Sequence, residues 1–250
     1  MKKPPTGRFR EQLLSLMDGK HHWAWSHFTG SRITKDQLSI HFRQEYAVYV
    51  RDFPVLLARV HGANPPQEVR RILAENIYEE DTGGLSLGRP HPELFLTMMK
   101  GLGYDEKEFE HVPLLPASKT YRRWLDQITW KQDWLVSAAV LTIFVEGSLN
   151  DRREILHPST PKTPAEIEDH VLKHPLVQYQ GLSPNFMDLI RAHQLVEAGH
   201  RHNAYDLVLA HAVTPGQQKA VLGSLNQALK LWLSYRDGIA RSCRLKKPIS

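Results

Sequence analysis

The chain has 250 residues, of which 41% are hydrophobic and 24% charged, so it can form a core and does not have a disordered composition. Its 32 Lys and Arg against 27 Asp and Glu give a net charge of +5, too small to require a nucleic-acid partner. The single cysteine, Cys243, excludes a disulfide framework, a Cys-rich zinc site and an iron–sulfur cluster. We expect one domain over residues 1–250 in the cytoplasm, because no segment has the pattern of a secretory signal or a membrane-spanning helix.

The first half of the sequence predicts helices. Residues 36–61 carry apolar side chains at three- to five-residue steps, and Pro54 is expected to kink this helix rather than to end it. Residues 67–80 predict a second helix. The glycine-rich residues 81–90 predict a loop, after which a short helix begins at His91 with a proline in its first turn.

The second half of the sequence also predicts helices. Ser183-Pro184 and Thr214-Pro215 each combine an N-cap residue with a first-turn proline, and each is expected to start a long helix. No stretch alternates apolar and polar residues between turn signals, so no sheet is expected. The fold class predicted is all-α. The helices are expected at residues 117–128, 131–155, 165–173, 184–213 and 215–241.

The long helix predicted near residue 190 carries the sharpest chemical pattern of the sequence. Steps of four and three residues place His193, Glu197 and His200 on one helical face. Two imidazoles and a carboxylate on one helix are typical of the iron and manganese sites of helical bundles. The alternative is a polar stripe that faces solvent.

Two other segments carry acidic residues in unusual places. Glu146 follows the apolar run 135–145, where a buried carboxylate is costly unless a cation lies beside it. The alternative is that Glu146 begins an exposed segment. Residues 75–81 contain four carboxylates and are followed by His91, which fits either a metal site or a solvated helix end.

Together, the segments ENIYEEDTGG, HPELF, LTIFVEG and RAHQLVEAGHR resemble the haem-oxygenase-like di-metal oxidases, whose relatives include the pyrroloquinoline-quinone synthases and thiaminase-type proteins. The resemblance covers nearly the whole chain in the order of its segments and in its length, and only these four segments are specific to the family. It implies a single-domain haem-oxygenase-like helical bundle. In the family, the first carboxylate ligand lies four residues after a helix Asn, and counting from Asn76 gives Glu80, with Glu79 as the alternative. The implied metal ligands are Glu80, His91, Glu146, His193, Glu197 and His200.

The resemblance also implies a function. Two Fe(II) ions, or one iron and one manganese, would activate O₂ as a co-substrate, with Glu80, Glu146 and Glu197 taking part in catalysis and with no haem and no nucleotide. A small organic molecule would undergo hydroxylation, N-oxygenation or oxidative C–C cleavage. Electrons would come from an external donor or from the substrate. No nucleic-acid or membrane partner is expected, and a homodimer is allowed.

Two alternatives stay open at this point. One is a metal-free oxidase similar to the pyrroloquinoline-quinone synthases, in which histidines and basic groups bind an anionic heterocycle. The other is a non-enzymatic helical interaction protein, which would need a large exposed apolar patch.

The aromatic residues near the expected metals fit either a pocket wall or plain core. We expect five of them to form the wall: Tyr46, Tyr49, Phe53, Tyr78 and Phe144. Glu80 and His91 are eleven residues apart, so the glycine loop between them must double back. Because ordering each loop residue costs about 1–2 kcal/mol of backbone entropy, the metal position that depends on Glu80 and His91 is expected to be the weaker one.

Overall fold

A computed structural model describes residues 6–157 and 160–247 of the protein, and for residues 6 and 197–200 it describes the backbone alone. All regular elements of this described part are helical, and no β-strand occurs in it, which confirms the predicted all-α class. Within the same residues, no helix is long and apolar enough to cross a bilayer. The helices are α1 (Thr6–Asp18), α2 (Trp25–Phe28), α3 (Lys35–Glu45), the π-helix π1 (Tyr46–Val50), α4 (Phe53–Gly62), α5 (Gln67–Thr82), α6 (His91–Gly101), a 3₁₀ turn (Glu106–Phe109), α7 (Pro116–Lys131), α8 (Trp134–Ala138), the π-helix π2 (Ala139–Val145), α9 (Asp151–Leu156), α10 (Pro164–Leu172), α11 (Pro175–Gln180), a 3₁₀ turn (Pro184–Phe186), α12 (Asp188–His211) and α13 (Pro215–Ser242).

The centre of the bundle is π2. Every residue from 138 to 144 is buried, as expected for a helical segment without a polar face. π2 packs against α12 and α13, and α13 also packs against α1 and α7. Helix α6 packs against both α5 and α12. The four predicted ligand segments therefore lie on neighbouring elements of one bundle.

The segment predicted as one kinked helix at residues 36–61 is interrupted instead. It consists of α3, π1 and α4, and the backbone of Asp52 between them is not helical, with φ −110° and ψ 12°. Pro54 lies in the first turn of α4, where a missing N–H leaves no intrahelical hydrogen bond unmade. The expectation that Pro54 only kinks a continuous helix was wrong for this reason.

Two further helix boundaries differ from the sequence prediction. The helix expected over residues 131–155 ends with π2 and restarts at Asp151, because the chain turns at residues 146–150. Ser183 caps a single 3₁₀ turn, and the long helix begins only at Asp188. By contrast, Thr214 begins α13 as predicted, and its side chain forms a capping box with Gln217.

The N-cap of α11 gives a pH prediction. His174 Nδ1 accepts a hydrogen bond from the Leu176 N–H, and burial lowers the pKa of His174 to about 4, with a smaller contribution from His170. Since the unfolded chain binds this proton already near pH 6.5, stability should fall as the pH drops from about 6.5 to 4, by about 1–3 kcal/mol.

We expect His174→Asn to remove this part of the pH dependence, because asparagine can also accept the N-cap hydrogen bond but does not titrate. Urea unfolding at pH 7 and at pH 4.5 measures it. Equal losses of stability in the wild type and the variant would contradict the prediction.

Candidate metal centre

A cavity of about 210 Å³ lies where α5, α6, π2 and α12 meet. Four of the six predicted ligands line it: Glu80, His91, Glu146 and His193. Carboxylate oxygens and imidazole nitrogens from four separate helical segments therefore meet at one place in the bundle. The rest of the lining is mostly apolar and aromatic: Tyr49, Val50, Phe53, Phe95, Val145, Leu189, Val196 and Arg201.

His91 is the best-defined donor of this cavity. Its Nε2 lies 3.0 Å from Oε1 of Glu79, and its Nδ1 lies 3.2 Å from Oε1 of Glu80. The second contact is an ion-pair contact, and the buried Nδ1 has no hydrogen-bond partner among the described side chains. Burial alone would lower the pKa of His91, but the carboxylates of Glu80 and Glu79 outweigh burial and raise it.

Glu79 and Glu80 have different surroundings, which bears on the choice between them. The Glu79 carboxylate is fully buried and accepts hydrogen bonds from the Leu85 N–H at 2.7 Å and from the Ser86 hydroxyl. These bonds lower the pKa of Glu79 although burial raises it. The hydrogen bonds of Glu79 thus hold the loop after α5 in place, whereas Glu80 lines the cavity. This arrangement favours Glu80 as the ligand.

The loop at residues 83–90 doubles back, as the eleven-residue spacing requires. Gly83 has φ 63° and accepts a hydrogen bond from the Gly88 N–H at 2.7 Å. A Cβ atom at Gly83 would lie 2.3 Å from the carbonyl oxygen of Arg89, so only glycine fits there. The turn brings His91 back beside Glu80.

Glu146 lies at the C-terminal end of π2. The Nδ2 amide of Asn76, on α5, donates to its Oε1 at 2.6 Å, and the guanidinium of Arg201, on α12, donates to its backbone carbonyl at 2.7 Å. The carboxylate is thus oriented by α5 while its backbone is held by α12.

His193 faces His91 across the cavity, with ring centroids 5.0 Å apart. Burial, and to a smaller extent His91, lowers the pKa of His193 to about 4, so its imidazole is neutral and able to ligate a metal. The predicted ligands Glu197 and His200 belong to α12, but their side chains lie outside the described residues. Among the side chains that are described, no three of His, Cys, Asp and Glu are close enough together to hold an ion.

The donor set fits divalent iron or manganese in the type of its atoms. Its oxygen and nitrogen atoms suit these metals, and the single thiol, Cys243, lies elsewhere, donating to the backbone oxygen of Gln37. The Nδ1 of His91, for which the described part of the chain supplies no hydrogen bond, is a buried nitrogen that a metal ion would satisfy. Glu80, His91, Glu146 and His193 would form the described part of such a site.

The predicted aromatic wall is only partly reproduced. Tyr49 and Phe53 line the cavity. Tyr46 instead stacks in the core against Phe95. Phe144 is fully buried in π2, and the side chain of Tyr78 is 52% exposed, since it lies over Gly84 on the outside of the loop. Tyr46, Phe144 and Tyr78 are not among the residues that line this cavity.

A second cavity, of about 570 Å³, adjoins the first. The two share Tyr49, Val145, Glu146 and His193 in their walls. The second cavity reaches solvent-exposed residues in the N-terminal segment and in the turn after π2. Its remaining lining residues are Lys20, His21, His22, Trp25, Glu45, Tyr121, Gly147, Ser148, Leu149, Asn150, Trp232 and Arg236.

Several residues around Glu146 were missed by the sequence analysis. Asn76 was used there only as a marker for counting, although it orients the Glu146 carboxylate. Lys20, Arg201 and Asp151 were not singled out there. The signal that could have found Asp151 is its place just after the end of an apolar run, but its fully buried position depends on tertiary packing.

The turn after π2 depends on Gly147. A Cβ atom there would lie 1.9 Å from the carbonyl oxygen of Ile143 and 2.5 Å from the Met17 side chain. We expect Gly147→Ala to destabilise the fold by at least about 1–3 kcal/mol. Gly223→Ala is the matched control: a Cβ atom there meets nothing within 4 Å, and it should stabilise α13 by about 0.5–1 kcal/mol. Thermal unfolding compares the two, and a neutral Gly147→Ala would show that the turn is not constrained.

Comparisons with known proteins agree with this geometry. The model of a family described as iron-containing redox enzymes matches residues 40–233, which include all six predicted ligands. The chain belongs to this family. Family membership supports an oxidoreductase role and iron as the metal.

Two related sequences are 4-aminobenzoate synthases, from Chlamydia muridarum (strain MoPn / Nigg) and Chlamydia trachomatis serovar D. Each is 27% identical to the chain over 123 residues, which are 46% of the chain. These residues are 50% of the first relative and 51% of the second, so the chain spans about half the length of the relatives it matches.

Two solved structures share the fold. A TenA homologue from Pseudomonas syringae pv. tomato DC3000 has a TM-score of 0.69 at 12% identity, and the match covers 96% of this chain and 94% of that one. A domain with a haem oxygenase-like fold from Shewanella denitrificans OS217 has a TM-score of 0.65 at 16% identity, covering 96% and 90%. The predicted haem-oxygenase-like bundle is therefore confirmed.

Proposed function

We propose that the protein is a non-haem oxidase with two metal ions, Fe/Fe or Fe/Mn, which activates O₂ to oxidise a small organic molecule. The observation that carries this proposal is the meeting of Glu80, His91, Glu146 and His193 at one cavity, in a chain of the iron-containing redox enzyme family. Glu197 and His200, four and seven residues after His193 on α12, would complete the ligand set.

The carboxylates have distinct tasks in this proposal. When bound, the metal ions supply the redox chemistry that O₂ reduction requires. Asn76 fixes the direction of the Glu146 carboxylate through the hydrogen bond to Oε1, while Glu80 lies 3.2 Å from Nδ1 of His91, so these two side chains would hold the same ion. Glu80, Glu146 and Glu197 are the carboxylates proposed to take part in catalysis.

The walls of the first cavity favour a small, largely apolar substrate. Phe53, Phe95 and Leu189 exclude water from its apolar side, and the Tyr49 hydroxyl donates to Glu45 at 2.6 Å, which holds the tyrosine ring in place between the two cavities. Hydroxylation, N-oxygenation and oxidative C–C cleavage are the proposed reaction types. The electrons come from an external donor or from the substrate, in the cytoplasm.

Oxygen consumption tests the proposal. We expect protein loaded anaerobically with Fe(II) to consume O₂ in the presence of a chemical reductant, and Glu146→Gln to consume at most about a tenth as much. His174→Asn, remote from the cavity, is the control with wild-type consumption. Consumption that is unaffected by removal of iron would instead favour a metal-free oxidase, and no consumption at all would favour a non-enzymatic protein.

A further inference from the structure

Two cationic side chains, Lys20 and Arg201, donate hydrogen bonds to the four consecutive backbone carbonyls of residues 144–147. The Lys20 ammonium donates to the oxygens of Phe144 at 2.5 Å, Val145 at 3.2 Å and Gly147 at 2.5 Å. Arg201 donates to the remaining oxygen, that of Glu146, at 2.7 Å. The three N–H groups of the ammonium are thus matched by three acceptors.

The physical need for these cations follows from the place of Glu146. A helix leaves the carbonyls of its last turn without N–H donors and carries a partial negative charge at that end. Here that end is half-buried between helices, where an unsatisfied carbonyl is costly. Lys20 comes from the segment after α1, more than a hundred residues away in sequence, so the contact is made by tertiary packing alone.

A buried carboxylate balances the two cations. Asp151, which is fully buried, accepts hydrogen bonds from the Ser148 N–H at 2.8 Å and from the Tyr205 hydroxyl at 3.0 Å, and its Oδ1 lies 3.5 Å from Nε of Arg201. The turn after π2 is thereby tied to α12, the helix that also carries His193.

We propose that Lys20 is a positioning residue for the metal centre: by binding the carbonyls on both sides of Glu146, it fixes the backbone from which the Glu146 carboxylate reaches the metal. Arg201 links the same backbone to α12 by its hydrogen bond to the Glu146 carbonyl, and so fixes the distance between the ligand on π2 and the ligands on α12. This proposal deepens the proposed function and rests on it.

The test is metal affinity and geometry rather than turnover. Apo-protein is titrated with Co(II), whose visible absorption reports the ligand geometry, and then with Fe(II) under anaerobic conditions. In Lys20→Met we expect the Kd of the ion held by Glu146 to rise about 10–100-fold, with a changed Co(II) spectrum, because methionine matches the lysine side chain as far as Cε but has no N–H donor. Lys20→Arg should recover the Kd to within about tenfold of the wild type.

Controls separate positioning from stability. Lys173→Met removes an exposed lysine paired with Asp169 and should leave the Kd unchanged. A contact that only stabilises the fold would lower the Tm of Lys20→Met but leave its Kd and Co(II) spectrum as in the wild type, and that result would overturn the proposal. If Lys20→Met does not fold, Lys20→Leu, which also has no donor, replaces it, and a wild-type Kd there would overturn the proposal equally. A wild-type protein that binds neither ion would instead overturn the proposed function, and the role of Lys20 with it.

Discussion

Replacing His193 with alanine is expected to remove most of the iron bound per chain, whereas His91→Ala should leave about half of it. His193 lies in the wall shared by both cavities and on the helix that carries Glu197 and His200. His91 follows a glycine loop and contacts only Glu79 and Glu80 among the carboxylates described around it. Its loss should therefore affect one metal position and leave the other in place.

Elemental analysis after anaerobic Fe(II) loading and desalting measures this difference. His174→Asn is the control, because it also removes an imidazole but lies outside the cavity. Equal iron contents for His91→Ala and His193→Ala would show that the two metal positions do not differ in the way the helices and the loop imply.

Removal of the Arg236 guanidinium is expected to cause the largest loss of stability from a single polar change. Arg236 is buried and its Nη2 lies 2.5 Å from Oε1 of Glu45, whose other oxygen lies 3.0 Å from Nε2 of His41. Burial raises the pKa of Glu45, but Arg236 and His41 outweigh burial and hold that pKa well below its usual range. Arg236→Met leaves this carboxylate buried without its main countercharge, at a cost of about 3–5 kcal/mol.

A double-mutant cycle isolates the pair. Arg236→Met together with Glu45→Gln should be less destabilised than the sum of the single variants by about 1–3 kcal/mol, because the second change removes the uncompensated charge. Lys173→Met breaks an exposed ion pair and should change stability by less than about 1 kcal/mol. Additive losses in the cycle, measured by urea unfolding, would mean that Arg236 acts through packing on Trp25 and Trp232 rather than through Glu45.

The sequence was sufficient for the fold class and for the segments that meet at the cavity. Apolar periodicity identified the helices, and the pattern of His193, Glu197 and His200 lies within one helix, α12, because a spacing of four and three residues depends on local geometry alone. Glu146 follows an apolar run of the sequence that is buried in the fold. Each of these features is encoded over a few neighbouring residues.

What the sequence did not predict depends on contacts between distant segments. The roles of Lys20 and Arg201 follow from the packing of α1, π2 and α12, which no local pattern encodes. Tyr78 has helical spacing that suits a wall residue, but the loop turns so that its ring covers Gly84. The π-helix π1 and the break at Asp52 likewise replace a continuous helix that the apolar stripe alone would predict.

The number of Fe(II) ions bound per chain is the most direct test of the central claim. Anaerobic titration of the apo-protein with Fe(II), followed by elemental analysis of the desalted protein, should give about two ions per chain, since the six proposed ligands supply three imidazoles and three carboxylates. The second ion should bind more weakly than the first. Fewer than about one ion per chain would contradict the account, because a buried donor set of this kind binds divalent iron when its residues converge.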